Sequence, residues 1–202
     1  MEAARAQGVR DERLLAAIAA LPRAEFVPPA VRHRAYRDEP LPIPHGQVTT
    51  QPSLVARMVE ALALTGAENV LEVGTGHGWQ TALLTTLART VWSIDRWPEM
   101  VETARAHLDR AGISNAHLVV GDGSLGLPEQ APFHAVIVAA AFTTVPAPLV
   151  EQLSAGGRLV QPIGPGGHDD VTLFEKREDA LVEVRRVVPA HFVRLYGEHG
   201  YR

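Results

Sequence analysis

Apolar positions recur along this chain with two periods, and the change between them marks its elements. Between residues 11 and 21 (DERLLAAIAAL) they return every three or four positions, the spacing of one helical face, and Pro22 follows. The next stretch has no period. Residues 26–52 carry Pro28, Pro29, Pro40, Pro42, Pro44 and Pro52, so mostly loop and short turns are expected, leading into a helix at about 53–64. From residue 69 short apolar runs alternate with helical patterns. NVLEV (69–73) precedes a helix through WQTALLTTLA, TVWSID (90–95) precedes PEMVETARAHLDRAG, and AHLVVGD (116–122) precedes a loop. HAVIVAA (134–140) then precedes a helical PAPLVEQLSAGG, and RLVQPIG (158–164) follows. This alternation predicts a doubly wound α/β fold, a mostly parallel Rossmann-like sheet with crossover helices on both faces. Two β-rich runs, DVTLFEKR and LVEVRRVV, close it as antiparallel strands, and HFVRLYG is expected to add an edge strand. The 202 residues then read as one domain, with a helical and loop collar over 1–64 and an α/β core over 65–202.

Composition removes several functions. A net charge of −4 gives no basic footprint for nucleic acid, which calls for clustered Lys and Arg. No cysteine is present, so disulfides, thiolate metal sites and Cys nucleophiles are excluded together, and Lys176 is the one lysine. The nine histidines form no ligand spacing such as H-E-x-x-H, so no metal is assigned, and His168-Asp169-Asp170 reads as a solvated turn. The first residues mix acids and bases around a short apolar run, unlike a signal peptide, and no later run is long enough to span a bilayer. A cytoplasmic location is expected, and nothing in the pattern sets an oligomeric state.

In a sheet of this kind ligands bind beyond the carboxyl ends of the strands, where the chemistry-bearing residues of this chain fall. Gly74, Gly76 and Gly78 follow the first strand, letting the backbone turn sharply and approach a ligand closely. Their G-x-G-x-G spacing puts Trp79 where a dinucleotide fingerprint needs glycine, which argues against an NAD-dependent oxidoreductase. Glu72, two residues before Gly74, is unfavourable beside a phosphate and favourable beside the ammonium and sulfonium of S-adenosylmethionine. Asp95 ends the second strand, where a carboxylate can accept hydrogen bonds from both ribose hydroxyls. In GDG (121–123), Asp122 is expected near the adenine amino group and Gly123 permits close approach. Trp79 and Trp92 fall in helix and strand patterns and read as core, and Trp97 follows Asp95-Arg96 as a possible adenine neighbour.

The motif LEVGTGHGWQTALL resembles the first motif of class I S-adenosylmethionine-dependent methyltransferases. The lead-in RAEFVPPAVRHRAYRDEPLPIPHGQVTTQP, then GDGSLGLPEQAPFHAVIVAAA, VPAPLVEQLSAGGRLVQPIG and HFVRLYG, resemble the protein-L-isoaspartate O-methyltransferase family in particular. The resemblance covers nearly the whole chain. It implies methyl transfer to the free carboxylate of isoaspartyl residues in proteins or peptides, giving an ester that collapses to a succinimide and starts repair. Under it Thr75 joins the cofactor-binding residues, Thr50 stands at the family's active-site serine, and Val48, Thr49, Gln51, Phe192 and Val193 fall in substrate-binding segments. The chain departs from the pattern at Val48, which replaces a hydroxyl residue, at His45 for Tyr, at His134 for Asp and at Arg194 for Pro. Methylation of a normal aspartate in one peptide, or of a small carboxylate, and a cofactor-binding fold without activity stay open. Thr50 also precedes Gln51-Pro52, where a helix begins, so on residues alone it reads first as a helix cap and, with the resemblance, as cap and site together.

Overall fold

A computed structural model describes residues 1–202. The collar opens with helix α1 (Glu2–Ala6) and continues with α2 (Glu12–Ala20), whose first turn is capped by the Asp11 carboxylate accepting from the N–H groups of Arg13 and Leu14. Leu14, Leu15 and Ala17 of α2 are buried, the face predicted by the period. Two 3-10 turns follow at Arg23–Phe26 and Pro29–Arg34. The proline-rich stretch is more ordered than expected: β1 (Leu41–Ile43) and β2 (Gln47–Thr49) pair as an antiparallel hairpin around a turn in which His45 and Gly46 have positive φ. Helix α3 (Pro52–Ala61) starts with proline at its first position, where the missing N–H has no intrahelical partner to lose.

The core alternates β3 (Asn69–Val73), α4 (Trp79–Thr85), β4 (Thr90–Asp95), α5 (Pro98–Arg110), β5 (Ala116–Val120) and β6 (Phe133–Val138). It closes with α6 (Ala147–Glu151), β7 (Leu153–Ile163), β8 (Asp169–Arg177) and β9 (Ala180–Ala190). The strands form one seven-stranded sheet in the order β5-β4-β3-β6-β7-β8-β9, parallel from β5 to β7 and antiparallel at β8 and β9. Strand β3 has its sequence successor β4 on one side and β6 on the other, so its carboxyl end lies at the switch of strand order.

Alternation along these strands divides the apolar residues between two faces. Val70, Val91, Ala135 and Ile137 pack with α2, α3 and α4, whereas Leu71, Val73, Ile94, Val136 and Val138 pack with Leu149, Leu153 and Leu195 on the other side. Glu72 therefore points with Val70 toward α4 and stands opposite Ser93 in the register. Trp79 is buried as expected, while Trp92 is half-buried and stacks on His117.

Three expectations are corrected. Residues 153–157 are the start of β7 rather than the end of a helix, because the Phe133 N–H bonds to Gln152 O and Phe133 pairs with Leu153, leaving α6 five residues long. HFVRLYG is not an edge strand; the edges are β5 and β9, and this segment makes only single bridges at Arg194 and Tyr196. Asp169 is not in a solvated turn. It is buried, and its carboxylate accepts from the N–H groups of Gly166, Gly167 and Phe192, tying the β7–β8 turn to the C-terminal segment.

Candidate active site

The carboxyl ends of β3, β4 and β6 open into a cavity of about 360 Å³. Gly74, Thr75, Gly76, Gly78, Asp95 and Gly123 all line it, so most of the predicted cofactor residues meet at one place. Gly74, Gly76 and Gly78 have φ of +98°, +52° and +89°, a backbone region that L side chains resist. Space is also short: a Cβ on Gly78 would come within 3.1 Å of Ala104 Cβ, and one on Gly123 within 2.4 Å of Val73 Cγ1. Thr75 Oγ1 meets Ser93 Oγ at 2.6 Å, holding the loop against β4. Asp95 Oδ2 accepts from Gly76 N–H at 2.9 Å and Oδ1 from Trp97 N–H at 3.1 Å. Burial raises the pKa of Asp95, and those N–H groups act against the rise.

Two predicted residues lie off this wall. Glu72 is fully buried beneath the glycine loop, and its carboxylate accepts from Gln80 Nε2 at 2.9 Å, from the Thr81 hydroxyl and from Ser93 Oγ at 2.6 Å. Desolvation pushes its pKa up to about 7 against those three donors. It is joined to the loop through Ser93 and Thr75 and does not line the cavity, because strand alternation turns it under α4. Asp122 is likewise turned away. Its Oδ1 accepts from Ser124 N–H and Oγ, and its Oδ2 from Glu198 N–H at 2.7 Å, so it anchors the C-terminal segment while its neighbour Gly123 faces the cavity.

A second cavity of about 380 Å³ adjoins the first. Val48, Thr50, Ala139 and Val193 line both, Thr49 only the first, and Gln51 and Phe192 only the second. Every predicted acceptor-side residue thus borders one or both cavities. Thr50 is not the helix cap. Asp38 does that work, accepting from Ser53 N–H at 2.9 Å and Ser53 Oγ at 2.7 Å, with Gln51 Nε2 at 2.8 Å beside it. The Thr50 carbonyl accepts from Arg23, and its hydroxyl has no partner in the chain, which leaves a donor free at the junction.

Other wall residues were not legible in the sequence. Arg23 and His77 line the first cavity, the latter with a buried Nδ1 that meets no partner. The His77 carbonyl accepts from His107 Nδ1, which fixes the proton of His107 on that nitrogen. Burial and the nearby His107 ring hold the pKa of His77 down at about 4. At the rim, His45 stacks on Trp97 with ring centroids 3.9 Å apart, and the Arg96 guanidinium lies 5.2 Å from Trp97 and 5.3 Å from Tyr196. Arg96 is Trp97's neighbour in sequence, whereas His45 and Tyr196 are far off in sequence and their meeting with this pair left no local signal. No group of three or more His, Asp or Glu side chains is placed to hold a metal ion, and no helix is long and apolar enough to cross a membrane.

The model of the protein-L-isoaspartate(D-aspartate) O-methyltransferase family matches residues 1–200. A protein-L-isoaspartate O-methyltransferase of Anaeromyxobacter dehalogenans is 50% identical over 190 residues, covering 93% of this chain and 91% of that protein. One of Pyrococcus horikoshii is 44% identical over 206 residues, covering 100% of this chain and 93% of its own. A solved protein-L-isoaspartate O-methyltransferase superposes with a TM-score of 0.85 at 28% identity, over 98% of this chain and 65% of the longer one. A Plasmodium falciparum structure in complex with S-adenosyl-L-homocysteine superposes with a TM-score of 0.79 at 20% identity, covering 95% of this chain and 94% of that one, a likeness of fold.

Proposed function

Because the chain belongs to the protein-L-isoaspartate(D-aspartate) O-methyltransferase family, we propose that it methylates the free carboxylate of isoaspartyl residues in proteins or peptides, using S-adenosylmethionine. The observation that carries this reading is the junction of two cavities at Val48, Thr50, Ala139 and Val193. One cavity has the glycine cradle and the strand-end Asp95 that a nucleoside requires; the other opens beside it as the acceptor side. S-adenosylmethionine supplies a methyl group activated by the positive sulfur that carries it.

This chain's part is to bind, orient and exclude water. The acceptor carboxylate, with a pKa of about 4, is already ionised at neutral pH, so no general base is required. Positioning then dominates. The unpartnered Thr50 hydroxyl is the assigned donor to one carboxylate oxygen, with Val48 and Val193 making the junction apolar. Asp95 is assigned to the ribose and the backbone of residues 74–78 to the cofactor's close approach, whereas Glu72 and Asp122 act through the loop and the C-terminal segment they hold. Gln51, Phe192 and Val193 are assigned to the peptide and Thr49 to the wall beside Thr50. The methyl ester is then attacked by the following backbone nitrogen, which forms the succinimide and expels methanol. A single domain is part of the proposal, supported by the Ala141 and Val193 backbones joining core and C-terminal segment and by α3 packing in the main core. A cytoplasmic location is proposed with it.

Initial rates of methyl transfer to two peptides of one sequence, one with isoaspartate and one with aspartate, test the reading. The isoaspartyl form is expected to react roughly 100-fold faster or more, because in the twin a different carboxyl is free and it stands elsewhere relative to the backbone that the junction must orient. Equal rates, or methylation of the aspartyl form alone, would overturn it in favour of a dedicated aspartyl acceptor.

A further inference from the structure

Arg23 is a buried arginine that methyl transfer, as assigned above, does not use. It is 3% exposed and begins the 3-10 turn Arg23–Phe26. Its Nη1 donates to Ala35 O at 3.0 Å and Arg37 O at 3.3 Å. Its Nη2 donates to Glu39 O at 3.1 Å, Thr49 Oγ1 at 2.7 Å and Thr50 O at 3.2 Å. All five acceptors lie in the lead-in between residues 35 and 50, and of the last two Thr50 stands at the junction of the cavities with Thr49 beside it. The same guanidinium lies 5.7 Å from the ring of Trp79, the first residue of the helix that follows the glycine loop. Burial is costly and brings its pKa down to about 10, which leaves it charged at neutral pH with Asp38 and Glu39 nearby.

Such a residue is more than a packing element. Its Nη hydrogens are spent on backbone and Thr49 oxygens and only Nε–H meets no partner in the chain, so it has no two-donor fork left for a substrate carboxylate. What it fixes is the backbone of Thr50, and with it the direction of a hydroxyl that nothing else in the chain holds. We propose that Arg23 is a positioning residue that sets Thr50 for methyl transfer, linking the lead-in to the start of α4. A lysine would keep the charge but offers a point rather than a planar fork and cannot reach oxygens on both sides.

The proposal rests on Thr50 orienting the acceptor, and a double-mutant cycle separates the two claims. Arg23→Lys is expected to lower kcat for an isoaspartyl peptide by about 10- to 100-fold while the dissociation constant of S-adenosylmethionine changes by less than about threefold. Thr49→Val removes one acceptor without touching the guanidinium and is expected to lower kcat by about three- to tenfold; it carries the test if Arg23→Lys does not fold. In a Thr50→Val background both changes should lose most of their effect, because the group they position is gone. Full additivity, or an unchanged kcat in Arg23→Lys or, failing that variant, in Thr49→Val, overturns the proposal for Arg23 alone. An unchanged kcat in Thr50→Val overturns the Thr50 assignment and the role of Arg23 with it.

Discussion

Asp95 carries two tasks on one carboxylate. It accepts from the N–H groups of Gly76 and Trp97, so it braces the glycine loop against the β4–α5 turn, and it presents its remaining lone pairs to the cavity. Replacing it by Ala is expected to weaken S-adenosylmethionine binding by about 1.5–3 kcal/mol, since charged hydrogen bonds are lost. Calorimetric titration checks this, and an unchanged dissociation constant would contradict the ribose assignment. Asp95 and the glycines were legible because strand ends and tight turns leave a local signature. Glu72 was legible as an important acid but not in its partners. Ser93 lies twenty-one positions away, so only the β3–β4 register and the burial of both reveal a hydrogen-bonded cluster in place of a cofactor contact. Arg23 left still less trace, since its acceptors are mostly backbone carbonyls that any residue supplies.

Among the elements, the parallel strands and their helices were read from the sequence nearly to their ends, because runs buried on both faces and helical periods are distinct signals. The collar was not. Its hairpin strands have three residues each, too short for a period, and are held by long-range contacts such as Arg23 Nη2 donating to Thr49 Oγ1. The start of α3 shows the same limit. Local reading favoured Thr50 as its cap, whereas Asp38, brought in from the other side of the hairpin, accepts from Ser53 N–H and Oγ. Asp38→Ala is therefore expected to cost about 1–2 kcal/mol of stability. Thr50→Val should leave the denaturation midpoint close to that of the parent. A reversed pattern in chemical denaturation would return the cap to Thr50.

At the scale of the molecule, two buried groups, His77 within the glycine loop and Glu72 beneath it, bias stability in opposite directions. His77, held at about 4 against an ordinary 6.5, stays neutral when the unfolded chain has taken a proton, so its contribution is lost as pH falls from 6.5 toward 4. Glu72, pushed up to about 7 from 4.5, keeps a proton the unfolded chain has released, so its contribution is lost as pH rises from 4.5 toward 7. Asp38, Glu68 and Asp122 are lowered and act mainly below this window, while the lowered His107 adds to the sense of His77. Relative to the parent, His77→Asn should gain on the order of 2 kcal/mol at pH 4.5 compared with pH 6.5, and Glu72→Gln should shift the opposite way. Denaturation curves at the two pH values check this, and equal shifts in both variants would contradict it. The glycine loop lines the first cavity, and methyl transfer is assigned to the place where that cavity meets the second, at Val48, Thr50, Ala139 and Val193. A crystal structure with S-adenosylhomocysteine and a short isoaspartyl peptide would show where the two meet. The nucleoside is expected over Gly74–Gly78 and Asp95, with the peptide's free carboxylate within about 3.2 Å of Thr50 Oγ1, between Val48, Ala139 and Val193. A carboxylate bound away from Thr50, or a nucleoside seated in the second cavity, would contradict that assignment.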